Sequence, residues 1–363
     1  MKCTLQGRYI SPLKVYLPQM CTAELRWLHA RLGAMLPYRQ AHDVLQLMLP
    51  IGNRQNHVTL RNHTVAVGSA VQTDAPLTQT QDGIEAEAEL GIDVGYIRQV
   101  KGRGTSTMAV VAAAVGSVGK SPRIWASART RTKPLHDDMS KFLADSGYDA
   151  DAPVRVITDG AADLKKVSQA LPRAGCWVLD WAHIGRMLRY LDQALSPLVF
   201  ARESISGPRF DLWDTCFRLR SYVWTGQKSR WRRTGKELYN SIEAQDPSDG
   251  DYRDTSTRLA RSKLSNLLAY LEANHQSLIV YRRWQKEGRR ISTGFVESTI
   301  NRLIGRRMCK DQQMRWSREG AHCLLQVRAA VLNGELDARA RRWHQWVGTR
   351  RISWPWMMPS HPF

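Results

Sequence analysis

The chain has 363 residues, of which 43% are hydrophobic, and it carries 53 Lys and Arg against 33 Asp and Glu, a formal net charge of +20. This composition is typical of a globular protein with a sizeable core, and the absence of any run of about 18 apolar residues excludes a predicted membrane span. The first residues lack the apolar segment and cleavage site of a signal peptide, so we expect a cytoplasmic protein.

The positive charge is concentrated toward the C-terminus. Residues 1–90 carry a net charge of +1, residues 91–200 a net charge of +5 and residues 201–363 a net charge of +14. A one-sided excess of this size indicates a polyanionic partner, and nucleic acid suits it better than a membrane surface.

The six cysteines are scattered along the chain and include no C-x-x-C pair. Disulfide frameworks and cysteine zinc sites both depend on closely spaced or regularly spaced cysteines. Neither is therefore expected here, and a reducing compartment is the default.

Apolar residues at helical spacing within 24–49, interrupted by Pro37, predict two short helices. A third helix is predicted to begin near Asn56 or Thr59, where a polar side chain precedes a new apolar pattern. The region 1–72 is thus predicted to be helical.

Two helices joined by a tight turn, with Arg61, Asn62 and His63 exposed on the second, would suit a DNA-reading helix-turn-helix. A plain helical bundle explains the same spacing as well. Residues 73–89 are polar and acidic, and we interpret them as a linker.

A sheet-containing core is predicted for residues 90–190. Short apolar segments there indicate three strands, then a helix, a strand, a helix, a strand and a helix, which is a mixed α/β arrangement.

AVGSVGKS, at 114–121, nearly matches a phosphate-binding loop. A strand-like segment follows it where that loop needs a helix, so we interpret it as a hairpin turn. Residues 191–291 are predicted to be helical almost throughout.

Three acidic residues occupy positions that suit phosphoryl-transfer chemistry. Asp93 lies inside the first of these strands, Asp159 follows the fourth, and Glu297 lies at the edge of an apolar stripe on a helix that starts near residues 292–294. A carboxylate in a buried strand is costly unless it is paired or bound to a metal. Two Mg²⁺ ions about 3.5–4 Å apart need such oxygen ligands. Taken singly, Asp159 as a helix cap and Glu297 in a first helical turn are ordinary.

Asp180 and His183 are spaced i, i+3 at a strand-to-helix junction and would face the same side of the helix. They could hold a flipped base, position DNA, or orient a metal-binding carboxylate. In isolation, this D-x-x-H pattern is also typical of a helix cap followed by a core histidine.

Basic segments flank Glu297 on both sides, at 282–290 and 301–310, and are expected to neutralise phosphates near the site. The predicted DNA contacts of this half of the chain are Arg289, Arg290, Arg302, Arg306, Arg307, Arg315 and Trp316. The tail at 337–363 interleaves arginine with tryptophan, a pattern that can stack bases and bind phosphates, although packing of these tryptophans onto the core explains it as well.

The chain resembles a known family in the order of its blocks: Asp93 in a strand, ITDGA at 157–161, LDWAHI at 179–184, a helical segment, and MRWSREGA at 314–321. It resembles bacterial insertion-sequence DDE transposases of the ISKra type, which share the D-x-x-H element with Mutator-like transposases. The resemblance covers roughly residues 24–336.

This resemblance implies an RNase H-like mixed sheet core that begins at 90–190, a large all-helical insertion at 191–291, and C-terminal catalytic helices at 292–336. It also implies metal-dependent DNA strand cleavage and strand transfer, with two Mg²⁺ (or Mn²⁺) ions bound by Asp93, Asp159 and Glu297. The implied partner is double-stranded DNA, both the terminal inverted repeats of the element and the target, bound by a homo-oligomer, with no membrane partner.

Two other functions fit parts of the sequence. Only Cys3 and Cys21 occupy the region where the relatives look cysteine-rich, and this difference favours a decayed or repurposed transposase that binds a DNA sequence without catalysis. Alternatively, GIDVG at 91–95 could be the phosphate-contacting turn of a sugar-kinase or actin-like ATPase. The basic helical second half offers no adenosine site for that function.

Overall fold

The structure is a computed structural model, and it describes residues 3–5, 8–10, 21–50, 56–75, 77, 88–100, 106–116, 121–128, 135–148, 153–171, 174–200, 210–244, 255–309 and 314–343. The chain divides into two compact units. The first comprises residues 1–77 and 326–363, and the second comprises residues 78–325. The boundary after residue 77 falls within the predicted linker at 73–89, most of which lies outside the described residues.

The secondary structure alternates between strands and helices only in the first half of the second unit. The strands are β1 (Cys3–Leu5), β2 (Arg8–Ile10), β3 (Ala88–Gln99), β4 (Ser106–Gly116), β5 (Arg123–Ser127), β6 (Val154–Thr158) and β7 (Ala174–Leu179). The α-helices are α1 (Ala23–Met35), α2 (Tyr38–Met48), α3 (His57–Thr73), α4 (Leu135–Asp145), α5 (Ala162–Ala170), α6 (Trp181–Phe200), α7 (Phe210–Trp224), α8 (Lys228–Glu243), α9 (Thr255–Ala273), α10 (Tyr281–Lys286), α11 (Gly294–Ile300), α12 (Arg318–Leu332) and α13 (Leu336–Trp343). The described residues also include a 3₁₀ turn at His275–Ser277 and a π-helical segment at Asn301–Cys309.

The three helices predicted for the N-terminal region are confirmed as α1, α2 and α3. The Thr22 hydroxyl accepts a hydrogen bond from the Leu25 N–H at 3.2 Å and so caps α1. The Asn56 side chain accepts from two N–H groups in the first turn of α3, each at 3.0 Å. Pro37 separates α1 from α2, because its ring lacks an N–H and restricts the preceding residue.

The helix-turn-helix prediction is corrected in two details. The connection from Met48 to His57 spans eight residues, longer than the three or four of a helix-turn-helix, and residues 51–55 of it lie outside the described residues. His63, predicted to be exposed, is only 6% exposed, since it faces the core between α1 and α3. Arg61 and Asn62 are exposed, as predicted.

The C-terminal helix α13 packs within the first unit. Asp337 accepts hydrogen bonds from the Trp27 indole at 2.9 Å and from Arg31 at 2.7 Å. Trp343 packs against the core of this unit, which α1, α3, the end of α12 and the start of α13 form. The other tryptophans of the predicted tail at 337–363 lie outside the described residues.

A five-stranded mixed sheet forms the centre of the second unit, so the predicted α/β class is confirmed. Its strand order is β5-β4-β3-β6-β7, with the first three strands antiparallel and with β6 and β7 parallel to β3. The predicted sequence of strands and helices between residues 90 and 190 is also confirmed. The segment after β4 leads to the antiparallel strand β5, as the hairpin interpretation of 114–121 predicts.

Two of the buried hydrophobic clusters among the described residues support this sheet. One contains residues of β3, β4 and β6 packed against Leu135, Met139 and Phe142 of α4 and against Leu164 of α5. The other joins the ends of β6 and β7 to the long helices α6 to α9, and α10 contributes Tyr281 to it. In the described parts of the chain, no helix is long and apolar enough to cross a membrane.

Candidate active site

The site is built around Asp93, in the middle of the central strand β3. Side chains alternate between the two faces of a strand, so Gly91, Asp93 and Gly95 share one face. A Cβ atom built on Gly91 would lie 2.2 Å from Val296 Cγ2, and one built on Gly95 would lie 2.8 Å from Ile304 Cδ1. The two glycines therefore let α11 and the π-helical segment lie directly over the strand, with Asp93 between them.

This arrangement gives GIDVG a different role from a phosphate-contacting turn. The five residues lie inside β3, in which every residue from Glu89 to Gln99 pairs with β4. Gly91 and Gly95 are in extended backbone and are needed for the close approach of a helix, not for a turn. The ATPase interpretation of this segment is thus contradicted.

Asp159 lies beside Asp93. Strands β3 and β6 run in parallel, and their pairing ends with Gly91 opposite Ile157. Asp93 follows Gly91 by two residues within β3, and Asp159 follows Ile157 by two residues, just after the end of β6. One Asp159 carboxylate oxygen accepts a hydrogen bond from the Ala161 N–H at 3.0 Å, which shapes the turn into α5. Asp159 thus lies at the carboxyl end of β6, next to the middle of β3, where Asp93 lies.

Glu297 comes to the site from α11, where it lies in the first turn, as predicted. Its Oε1 atom lies 3.3 Å from Nη2 of Arg186 on α6, and both side chains are nearly half exposed. An ion pair at this exposure contributes little stability, so the Glu297 carboxylate can leave Arg186 and bind another cation at little cost.

Electrostatics link the four acidic residues. Burial, together with the smaller effect of the charges of Asp159, Asp180 and Glu297, raises the pKa of Asp93 from 3.8 to about 6. A hydrogen bond from the Val94 N–H to Asp93 Oδ1, at 2.7 Å, opposes this rise. Desolvation and like charges both disfavour an ionised carboxylate. Asp93 is therefore in a place where a cation would be favourable.

The carboxylates of Asp93, Asp159, Asp180 and Glu297 do not form a close cluster of ligand atoms. Within the described residues, one group of three or more His, Cys, Asp and Glu has all its ligand atoms within 4.8 Å of one another, and it lies in the first unit. The acidic side chains of the second unit are more widely spread. A pair of ions about 3.5–4 Å apart would draw its ligands from such a wider volume.

Asp180 fixes the position of α11. It is 4% exposed, and its Oδ1 atom accepts from the N–H groups of Ala182 at 2.8 Å and Thr293 at 3.1 Å. Its Oδ2 atom accepts from the Thr293 hydroxyl at 2.6 Å. Thr293 is the residue that precedes α11, and its carbonyl oxygen accepts from the Glu297 N–H at 2.8 Å. Asp180 thus caps α6 and ties it to the helix that carries Glu297.

His183 and Tyr270 form the wall next to Asp159. Their ring centroids are 5.1 Å apart, and the Tyr270 hydroxyl donates to the Asp159 carbonyl oxygen at 2.8 Å. Burial raises the pKa of Tyr270, and the charges of Asp159 and Asp180 raise it further, so this hydroxyl keeps its proton. Sequence reasoning found His183 but missed Tyr270, since nothing in the pattern of α9 distinguishes it.

No family model matches the chain, and a search of curated proteins gave no match either. The resemblance seen in ITDGA and LDWAHI therefore stays a prediction.

The predicted DNA contacts divide into exposed and buried residues. Arg289, Arg302, Arg306 and Arg315 are exposed. Three others are engaged inside the unit and need correction: Arg290, Arg307 and Trp316.

Arg290 pairs with the buried Glu89 at 3.3 Å and lies 4.5 Å from the Phe295 ring centroid. Arg307 is 3% exposed and lies over the ring of Trp316, which is itself 7% exposed. Arg307 and Trp316 are too buried to contact DNA, and Arg290, with a side chain that is 19% exposed, is held by the Glu89 carboxylate and the Phe295 ring. The sequence could not show this, since an arginine that packs on an aromatic ring has no pattern of its own.

We expect Thr293→Val to lower the free energy of unfolding by about 1.5–3 kcal/mol, because it removes a buried hydrogen bond to the charged Asp180. Thr299→Val is the matched control: its hydroxyl donates only to the Phe295 carbonyl oxygen, at 2.9 Å, so its loss should cost about 0.5–1.5 kcal/mol. Urea unfolding of the two variants measures the difference. Equal costs would contradict the role given to Asp180.

Proposed function

We propose that the chain is an insertion-sequence transposase that cuts and joins DNA strands with Mg²⁺ (or Mn²⁺) held by Asp93, Asp159 and Glu297. The position of Asp93 carries this proposal: it is a half-buried carboxylate under α11, in the field of three further carboxylates. Negative charge gathered in this way is costly without cations. Hard oxygen ligands of this kind fit Mg²⁺, which keeps some of its waters and takes few carboxylates.

The sheet supports the proposal of an RNase H-like core. In the five-stranded sheet, three antiparallel strands come first in sequence, and two parallel strands with helical crossovers follow on the other side of β3. One aspartate lies on the central strand and the other directly follows its parallel neighbour. The glutamate lies on a helix some 140 residues later in the chain, after the helical segment. This order suits the DDE arrangement that the family resemblance implies.

Divalent cations bound here would activate the attacking water or 3′-hydroxyl and stabilise the leaving oxygen. Asp93 and Asp159 would hold them from the sheet and Glu297 from α11. Arg186 lies next to Glu297 and can neutralise a phosphate oxygen when Glu297 turns to the metal. Asp180 touches no substrate in this proposal; it keeps Thr293, and with it α11, in place.

The proposed DNA surface of the second unit uses the exposed arginines near this site. Arg302 and Arg306 follow Glu297 directly, and Arg289 and Arg315 lie on either side of them in the sequence. In the first unit, the exposed Arg61 and Asn62 on α3 are the proposed contacts to the element ends. Binding of this kind weakens steeply with salt, because phosphate contacts release counterions. A homo-oligomer on DNA remains part of the proposal.

The experiment is a strand-joining assay with duplexes that carry the sequences flanking the gene. We expect Mg²⁺-dependent cleavage and joining by the wild type, none by Asp159→Asn, and unchanged duplex binding by both. Asp163→Asn removes the same charge from an exposed site in the first turn of α5 and should keep activity. Joining by Asp159→Asn would refute the site. Binding without any cleavage by the wild type would favour the non-catalytic DNA-binding protein.

A further inference from the structure

A cluster of three metal-ligating side chains lies in the first unit, in the part of the chain that precedes the acidic site. Cys21 lies just before α1, His29 on α1 and His63 on α3, and they are 4%, 1% and 6% exposed. The Nδ1 atoms of His29 and His63 are 2.7 Å apart, and Cys21 Sγ lies 3.8 Å from the latter. All three ligand atoms lie within 4.8 Å of one another.

These distances are close to those of a tetrahedral zinc site. With bonds of about 2.0–2.1 Å to nitrogen and about 2.3 Å to sulfur, neighbouring ligands lie roughly 3.3–3.6 Å apart. The two imidazoles would need to separate by about half an ångström, which small rotations of the side chains supply. Sulfur and imidazole ligands select zinc over Mg²⁺, which prefers oxygen.

A core without metal leaves this cluster poorly explained. Two imidazoles can share one proton between their Nδ1 atoms, but among the described residues the thiol then donates only to the Thr22 carbonyl oxygen, at 3.4 Å. Three buried side chains that can bind a metal, one thiol and two imidazoles, are more than this bond needs. We propose that Cys21, His29 and His63 bind one zinc ion, which leaves its fourth position to water and holds α1 against α3.

The intact chain, purified without added chelator, should contain one zinc per molecule by elemental analysis. Cys21→Ser and His63→Asn should lose it. Two controls should keep it: Cys323→Ser, a buried cysteine of the second unit, and His57→Asn, on the same helix as His63. Asp159→Asn should also keep it, so that zinc at this site is distinguished from a cation at the acidic site.

The visible absorption of bound Co²⁺ tests the site in the wild type, so this test does not depend on whether any variant folds. Co²⁺ should produce the visible bands of a tetrahedral site with a thiolate-to-metal band, and Cys21→Ser should weaken its binding more than about 100-fold, since even outer-shell losses cost 10–100-fold. A wild type with no zinc and no thiolate band would overturn the proposal, as would equal metal loss in His57→Asn and His63→Asn. Neither result would bear on DNA joining.

Discussion

Asp93→Asn is expected to abolish Mg²⁺-dependent strand joining and, at the same time, to stabilise the metal-free protein. Activity should fall by more than about 100-fold, because loss of even an outer-shell metal partner costs 10–100-fold. Stability should rise because the ionised carboxylate is disfavoured in the folded state, where its pKa is about 6 in place of 3.8. The corresponding penalty at pH 7 is on the order of 2–3 kcal/mol.

The pH dependence of stability follows from the same pKa. The folded protein keeps the Asp93 proton to higher pH than the unfolded chain does, so wild-type stability should fall as the pH rises from about 4 to about 6. The penalty is complete above that range and absent below it. The Asn variant lacks this contribution, so the difference in melting temperature between variant and wild type should grow across the range and stay constant above it.

Mg²⁺ provides a further readout. The ion should raise the melting temperature of the wild type, since a ligand that binds only the folded state stabilises it, and should raise that of Asp93→Asn much less. Asp163→Asn is the control for the loss of one negative charge, because this acid is exposed in α5, and it should respond to Mg²⁺ like the wild type. An Asn variant that is less stable than the wild type at pH 7 without metal would contradict the electrostatic description of the site.

The sequence predicts those parts of the fold that depend on local patterns. Apolar periodicity and Pro37 place α1 and α2, and the strand and helix order of the core follows from short apolar segments with turns between them. The strand position of Asp93 and the helical position of Glu297 are also readable from their neighbours.

Contacts between distant residues are what the sequence could not predict. Thr293 and Asp180 are 113 residues apart, and the hydrogen bonds between them need both side chains in place before they can be recognised. Cys21, His29 and His63 converge without any of the short spacings by which zinc sites are found, and so no metal site was expected there. The sequence shows the glycines of GIDVG, but it does not show that they permit the close packing of α11, which lies about 200 residues later in the chain.

Gly91→Ala tests that role, and it is expected to impair both stability and activity. The added Cβ would lie 2.2 Å from Val296 Cγ2 and 2.7 Å from Phe295 Cζ, so α11 must move away from β3. Overpacking of this kind costs about 1–3 kcal/mol. Because Glu297 follows Val296, a shift of about 1 Å would also misplace this proposed metal ligand, which can cost about 100-fold in rate. Urea unfolding and the joining assay measure the two effects.

Gly185→Ala is the matched control, because a Cβ on this residue of α6 meets nothing within 4 Å. In a helix, that substitution should stabilise by about 0.5–1 kcal/mol. Val296→Ala provides the rescue: it removes the Cγ2 atom that the new methyl group would meet, so the Gly91→Ala, Val296→Ala double variant should lose less than the sum of the two single losses. Additive losses would mean that the glycine is not what permits α11 to lie on the strand. If the double variant loses less than the sum of the single losses in both stability and strand-joining activity, the packing of α11 on β3 is linked to the site of Asp93, Asp159 and Glu297. The methyl group added by Gly91→Ala would then control both the position of α11 and the reactivity of these carboxylates.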